Sequence, residues 1–165
     1  TFREGHMIGP ATAIETPGHA SDHTAFEVEL SDGRIGILSG DLVVDDGSVV
    51  VGGPDGDMAA YLDSLRRLRE REPDVLYPGH GPVLDDPSET IDRLIEHRTQ
   101  REEAIIEAMA NSAEDVDEIV DRAYDKDISE VYGLARKTVV AHIEKLDSEG
   151  RLRWDCETEQ ATLID

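Results

Sequence analysis

Three short apolar runs in this chain each stop at a glycine, and beside each glycine stands a histidine or an aspartate. ATAIE (11–15) leads into TPGHASDH (16–23), RIGILSG (34–40) into Asp41, and DVLYPG (74–79) into His80. Glycine lets a backbone turn sharply, so a short side chain next to it can reach past the end of a strand toward a point shared with other loops. A chain with this pattern must fold so that distant strand ends gather in one place. Each residue also has a plainer reading. His19 and His80 could be surface loop histidines, and Asp41 could be a turn former, since aspartate readily bonds its own backbone after a glycine. Two P-G-H stretches and one G-D, all at strand ends, favour the shared site.

The remaining elements follow from periodicity. TAFEVEL alternates apolar and polar residues before the turn Ser31-Asp32-Gly33, and RIGILSGDLV returns, so the two predict a hairpin. Met58, Tyr61, Leu62, Leu65 and Leu68 fall at helical spacing, which predicts an amphipathic helix over 57–71 with Asp57 as its N-cap. From Ser88, taken as a second cap, Ile91, Leu94, Ile95, Ile105, Ile106 and Met109 make a long apolar stripe. DVDEIVDRAY predicts a shorter helix, and LARKTVVAHIEKLDSEG a third, closed by Gly150 as a left-handed C-cap. Two short β-like runs in RLRWDCETEQATLID complete the order helix, helix, helix, hairpin, that of a winged helix. The expected division is an α/β domain over 1–97 and a winged-helix-like domain over 98–165. His97 and His142 fall on helices and read as packing or surface residues, and Tyr77 reads as core.

Charge narrows the partners. The chain carries 38 acidic against 16 basic residues, a formal net charge of -22, and its only lysines are Lys126, Lys137 and Lys145. Such a surface repels nucleic acid at a distance. It suits concentrated salt, where charges are screened within about 3 Å at 1 M, and a halophilic setting is the expectation. The single cysteine, Cys156, cannot form an internal disulfide and fits a reducing cytoplasm. No apolar run reaches the roughly 18 residues of a membrane span, so no membrane partner is expected.

TPGHASDH, SGDLV and YPGHGPV resemble the third, fourth and fifth metal motifs of the metallo-β-lactamase superfamily. The continuation HRTQREEAIIEAM and the helical tail are similar to its β-lactamase-like protein 2 and hydroxyacylglutathione-hydrolase-like branch. The resemblance implies an αββα sandwich, of which this chain would supply the C-terminal half, followed by the winged-helix extension. It implies two zinc ions per intact site, with His19 on the first, Asp41 bridging both and His80 on the second. His23 and Asp22 would lie beside them in orienting or substrate-contacting roles, so that Asp41, Asp22 and His23 form the expected catalytic set. The family's H-x-H-x-D-H motif is absent from these residues: His6, His19, His23, His80, His97 and His142 are the only histidines, and no two replace it. The expectation is therefore a fragment that holds three of about seven ligands and is inactive alone.

For the intact enzyme the resemblance implies a zinc-dependent hydrolase in which a metal-bridging hydroxide attacks a small-molecule thioester or ester. Single-stranded RNA is the alternative substrate, and a non-catalytic acidic interaction module or winged-helix binding protein the other reading. A homo-oligomer stays open. DNA is disfavoured because residues 113–165 hold 15 acids against 7 bases, whereas groove binding needs a basic face. Salt tests the charge argument: the thermal unfolding midpoint should climb with KCl into the molar range, and a flat dependence would remove the halophilic reading.

Overall fold

The computed structural model describes residues 2–164. They form two compact units, one of residues up to 49 with 55–96, the other of 50–54 with the residues from 97 onward. The first is built on a five-stranded sheet, in spatial order β1 (Met7–Ile8), β2 (Ala11–Glu15), β3 (Thr24–Glu29), β4 (Ile35–Gly40) and β5 (Val75–Pro78). The first three pairings are antiparallel and β4–β5 is parallel, with helix α1 (Met58–Glu70) in the connection. Two antiparallel steps separate β2 from β4, so β2, β4 and β5 all run in one direction. Their C-terminal ends, and the N-terminal end of β3, lie along a single edge of the sheet. A mixed sheet with helices is what the alternating and helical periods predict.

The turn chemistry explains where these elements begin and end. Asp57 caps α1 by accepting the Ala60 N–H at 2.9 Å, and Met58, Tyr61, Leu62, Leu65 and Leu68 are buried along one stripe. Burying such a side chain is worth about 1.5–3 kcal/mol against leaving it in water. The start of β5 is pinned beside the start of β4: the Ile35 N–H donates to Asp74 Oδ2 at 2.7 Å, and the Asp74 N–H to the Ile35 carbonyl at 2.9 Å. Helix α2 (Pro87–Ala110) corrects the expected cap. Asp86, not Ser88, accepts the Glu89 N–H at 3.1 Å, and Pro87 opens the helix, where its missing N–H costs nothing.

Paired residues on neighbouring strands share a face. One face of the sheet carries Ile14, Ala25, Ile37 and Leu76, all fully buried, together with Glu27, which takes an ion pair from Arg71 just beyond α1. The opposite face carries Ala11, Phe26, Val28, Leu38 and Tyr77 and is only partly covered. Leu38 is 46% exposed, and Phe2 lays its ring edge-on over Phe26 at 5.5 Å. Tyr77, read from sequence as core, is half-buried there.

The second unit contains the C-terminal part of α2, then α3 (Val116–Ala123), a 3-10 turn (Ser129–Val131), α4 (Tyr132–Ser148) and the hairpin β6 (Leu152–Asp155) and β7 (Gln160–Leu163). Ile105, Ile119, Val120, Val139, Ile143, Leu146 and Leu152 form its core. Gly150 ends α4 with φ +71, and the Arg151 N–H closes the turn onto the Leu146 carbonyl at 2.9 Å. Among the described residues no helix is long and apolar enough to cross a membrane.

Against this core sits an ionic cluster. Glu102, 12% exposed, receives Lys145 at 2.8 Å and Arg151 at 2.6 Å. His142, fully buried, has Nδ1 3.8 Å from the same carboxylate, too far for a hydrogen bond. Burial alone would raise the Glu102 carboxyl, but the cationic neighbours outweigh it and bring it down to about 2. A carboxyl depressed on folding adds stability above its unfolded pKa, here near 4.5, and loses it as pH falls toward 2. The contribution is at most about 3 kcal/mol. Acid unfolding of the Glu102→Gln variant, followed by circular dichroism, should lose that part of the slope between these pH values.

Candidate metal centre

The loop after β2 is held from below by α1. The Asp57 N–H donates to the Gly18 carbonyl at 2.8 Å, and the Ser64 hydroxyl to the Pro17 carbonyl at 2.7 Å. Gly18 has φ +135, and a Cβ there would fall 2.3 Å from the Tyr61 backbone, so no other residue fits. His19 therefore leaves a short turn clamped onto the first turns of a helix.

From the same turn the chain enters β3 through His23. The buried Thr16 is bonded twice to it: its N–H donates to the His23 carbonyl at 3.0 Å, and its hydroxyl is hydrogen-bonded to Nδ1 at 2.8 Å. Nε2 is thereby aimed at Gly40, where a Cβ would lie 2.7 Å away. His19 and His23 face each other edge-on, ring centres 6.4 Å apart. Burial and the neighbouring His19 hold the His23 imidazole below its ordinary pKa against the pull of Asp41 and Asp22. A neutral ring is the form that can lend a lone pair.

Asp41 and His80 meet because β4 and β5 are parallel neighbours. The pairing slips between Leu38 and Gly40, Gly40 pairs with Pro78, and the Gly79 N–H donates to the Gly40 carbonyl at 2.8 Å. One residue further along each strand, His80 Nε2 stands 3.4 Å from Asp41 Oδ1. Two donors on one tetrahedral zinc ion with bonds of about 2.0–2.1 Å are separated by about 3.3 Å, so this pair has the spacing of two ligands on a shared ion. The His80 side chain is 83% exposed.

The structure thus places His19, His23, Asp41 and His80 along one sheet edge, and joins Asp41 with His80 most closely. Asp22 lies on the exposed turn, where its carbonyl accepts the Thr24 hydroxyl at 3.2 Å. Among the described residues no three His, Cys, Asp or Glu side chains converge tightly enough to hold a metal ion. Two contributors were missed in the sequence. Thr16 orients His23, and Asp55 accepts the Ser21 N–H at 3.3 Å. Hydrogen bonds from Ser21 keep the Asp55 carboxyl below its usual range, with His19 close enough to add to the effect. The turn signal P-D-G at 54–56 was the only pointer to Asp55.

Residues 2–80 match the model of the metallo-beta-lactamase superfamily. The chain is 30% identical over 143 residues to the Beta-lactamase-like protein 2 homolog of Drosophila melanogaster, a match covering 85% of this chain and 46% of that protein. It is 34% identical over 100 residues to an atrochrysone carboxyl ACP thioesterase of Aspergillus chevalieri, covering 61% and 30%. Among solved structures, a Beta-lactamase domain protein from Burkholderia ambifaria superposes with a TM-score of 0.80 at 27% identity, over 99% of this chain and 52% of that one. These matches support membership of the metallo-β-lactamase superfamily. The chain spans less than half the length of these curated relatives.

Gly40 offers a direct test of the site's packing. Its φ of +54 and the His23 ring leave no room for a methyl group. Gly40→Ala should cost about 1–2 kcal/mol in urea unfolding, combining left-handed backbone strain with displacement of His23, and should shift the His23 ring resonances in NMR.

Proposed function

We propose that this chain carries the second half of the active site of a zinc-dependent hydrolase, acting on thioesters or esters. The single observation that carries this reading is the Asp41–His80 pair, a carboxylate and an imidazole at the spacing of two zinc ligands, on a sheet edge that also holds His19 and His23. The donor set, imidazole nitrogen with carboxylate oxygen, is the one zinc takes. His19, Asp41 and His80 would hold the zinc, two ions in an intact site. Zinc would supply Lewis acidity, polarising the acyl carbonyl and acidifying water.

The chain's own residues would do the rest. Thr16 would hold His23 with one nitrogen occupied and the other facing the site, and Asp55 would fix the turn that carries His19. Asp22 and His23 would contact substrate from the turn at the start of β3. Thioesters come first among substrates because a relative 34% identical over 100 residues bears the name of an ACP thioesterase.

The half-covered sheet face supports the remaining part of the proposal. A sheet with apolar side chains on both faces is one built to be buried on both. In an αββα sandwich a second sheet would pack on Phe26, Val28 and Leu38 and bring the H-x-H-x-D-H ligands. The second unit would then be a winged-helix-like extension. Nucleic acid is the weaker reading, since three of that unit's bases are already engaged: Arg136 by Asp117 and Glu159, Lys145 and Arg151 by Glu102 and Glu149. A cytoplasmic setting and small-molecule substrates complete the proposal.

Two measurements test it. Elemental analysis of the 165-residue chain should find well under one zinc per chain after dialysis, because two close donors bind weakly. In the intact enzyme, Asp41→Ala should lower thioester hydrolysis at least a hundredfold, on the scale of losing a metal or an oxyanion-stabilising group. Unchanged turnover would remove Asp41 from the chemistry.

A further inference from the structure

The ring of His23 is held by Thr16, and the direction in which that hydrogen bond runs decides what the other ring nitrogen can do. Thr16 is fully buried. Its hydroxyl lies 2.8 Å from His23 Nδ1, and its backbone N–H already donates to the His23 carbonyl at 3.0 Å. A hydroxyl beside a neutral imidazole can donate to a bare Nδ1 or accept from a protonated one. In the second arrangement the Thr16 proton needs an acceptor of its own, and among the described residues the Thr16 hydroxyl makes no other hydrogen bond. Thr16 is out of reach of solvent, so that proton would be stranded, and a stranded buried donor is the costly arrangement. The hydroxyl therefore donates, Nδ1 accepts, and the ring proton sits on Nε2.

Nε2 faces the strand end that carries Asp41. A Cβ at Gly40 would lie 2.7 Å from it, so glycine at that position keeps the space in front of the N–H clear. Asp41 and His19 are close enough to act on the ring electrostatically, yet no acceptor among the described residues takes the Nε2 proton. The His23 side chain is half-buried. A locked ring whose outward N–H is unclaimed by the protein is a donor set for an oxygen that arrives with a ligand.

We propose that His23 is a fixed hydrogen-bond donor, held by Thr16 as the Nε2–H tautomer, whose acceptor is the acyl oxygen of the ester or thioester substrate. A protonated Nε2 has no lone pair, so His23 is neither a metal ligand beside His19 nor the base that takes a proton from water. It gives no proton away. The hydrogen bond tightens as the acyl oxygen gains negative charge on the way to the tetrahedral intermediate, which is where a donor already in place speeds acyl transfer. The acceptor rests on the hydrolase reading, whereas the tautomer rests on the Thr16 contact alone. Thr16, His23 and Gly40 all belong to the sheet unit.

Two-bond ¹H–¹⁵N correlation spectra of the 165-residue chain, taken at a pH where imidazoles are neutral, test the tautomer. His23 should show its proton on Nε2 and a hydrogen-bonded, unprotonated Nδ1. Thr16→Val, nearly isosteric and lacking only the hydroxyl, should move the Nδ1 resonance to that of a free acceptor, and Thr16→Ser should leave it in place. A proton on Nδ1 in the unaltered chain would overturn the inference. The acceptor is tested in the intact enzyme with a thioester substrate. His23→Ala should lower kcat roughly a hundredfold with KM little changed and zinc content unaltered. His23→Gln, whose side-chain amide can place an N–H close to where Nε2–H stood, should recover most of that loss. Glutamine as slow as alanine, zinc lost from His23→Ala, or full turnover in His23→Ala would each overturn the donor role. If the intact enzyme turns over neither thioester nor ester, the hydrolase reading and the acyl acceptor fall together; a ring protonated on Nδ1 in an active enzyme would sink this inference alone.

Discussion

The parallel pairing of β4 with β5 is the constraint on which the candidate site depends. Parallel neighbours cannot be joined by a tight turn, so the chain must cross between them, and here the crossing contains α1. Parallel sense also means that both strands finish at the same edge. With the slip in register between Leu38 and Gly40, the residues just past the two strand ends come together, and Asp41, one beyond β4, meets His80, two beyond β5, at 3.4 Å. Had the two strands been antiparallel, these side chains would lie at opposite ends of the sheet. The contact between Asp41 and an exposed histidine is worth little by itself. Its position is imposed by the ladder behind it, where Asp74 and Ile35 lock the starting register.

The crossing helix has a second duty that links packing to the site. Its N-cap is Asp57, whose N–H grips Gly18, and about two turns later Ser64 grips Pro17. The same helix fills the core beneath the sheet with Tyr61, Leu65 and Leu68, each fully buried. The loop of His19 thus rests on the element that stabilises the unit and is anchored to it at Pro17 and Gly18. A site meant to hold a metal benefits, since ligands already in place lose little entropy on binding. Rigidity does not replace missing donors, and two close ligands remain two.

Much of this was legible in the sequence because local chemistry and tertiary position agree. The helix stripe of Met58 to Leu68 with its Asp57 cap, the strands ending in glycine and the Gly150 stop appear where periodicity and turn residues put them. The signal was weakest where long-range contacts decide. Asp86 displaced Ser88 as the cap because Pro87 already has the right φ for the first turn, so the capping residue is the one before it. Thr16 looked like the entry to a turn, and its bond to His23 requires knowing that seven residues of loop fold back on themselves. Asp55 acts across an even longer span, on Ser21. His142 read as a packing or surface residue and is fully buried, 3.8 Å from a carboxylate, which no helical period could show.

The two faces of the sheet bear differently on function. The covered face explains why the unit holds together. The partly open face, with Leu38 and Phe26 on it, has the composition of an interior. Net charge makes that composition more telling. In a chain with 38 acidic residues, charge is available for almost any exposed position, yet Phe26, Val28 and Leu38 carry none. An acidic surface keeps solvent-facing positions hydrated and separate, and the apolar row on this face is what the covering layer proposed above would bury. The same reasoning applies at the site edge, where the exposed His80 and half-exposed Asp41 leave donor atoms turned outward. Apolar face and outward donors lie on the one sheet, and the second sheet of the proposed sandwich would meet both.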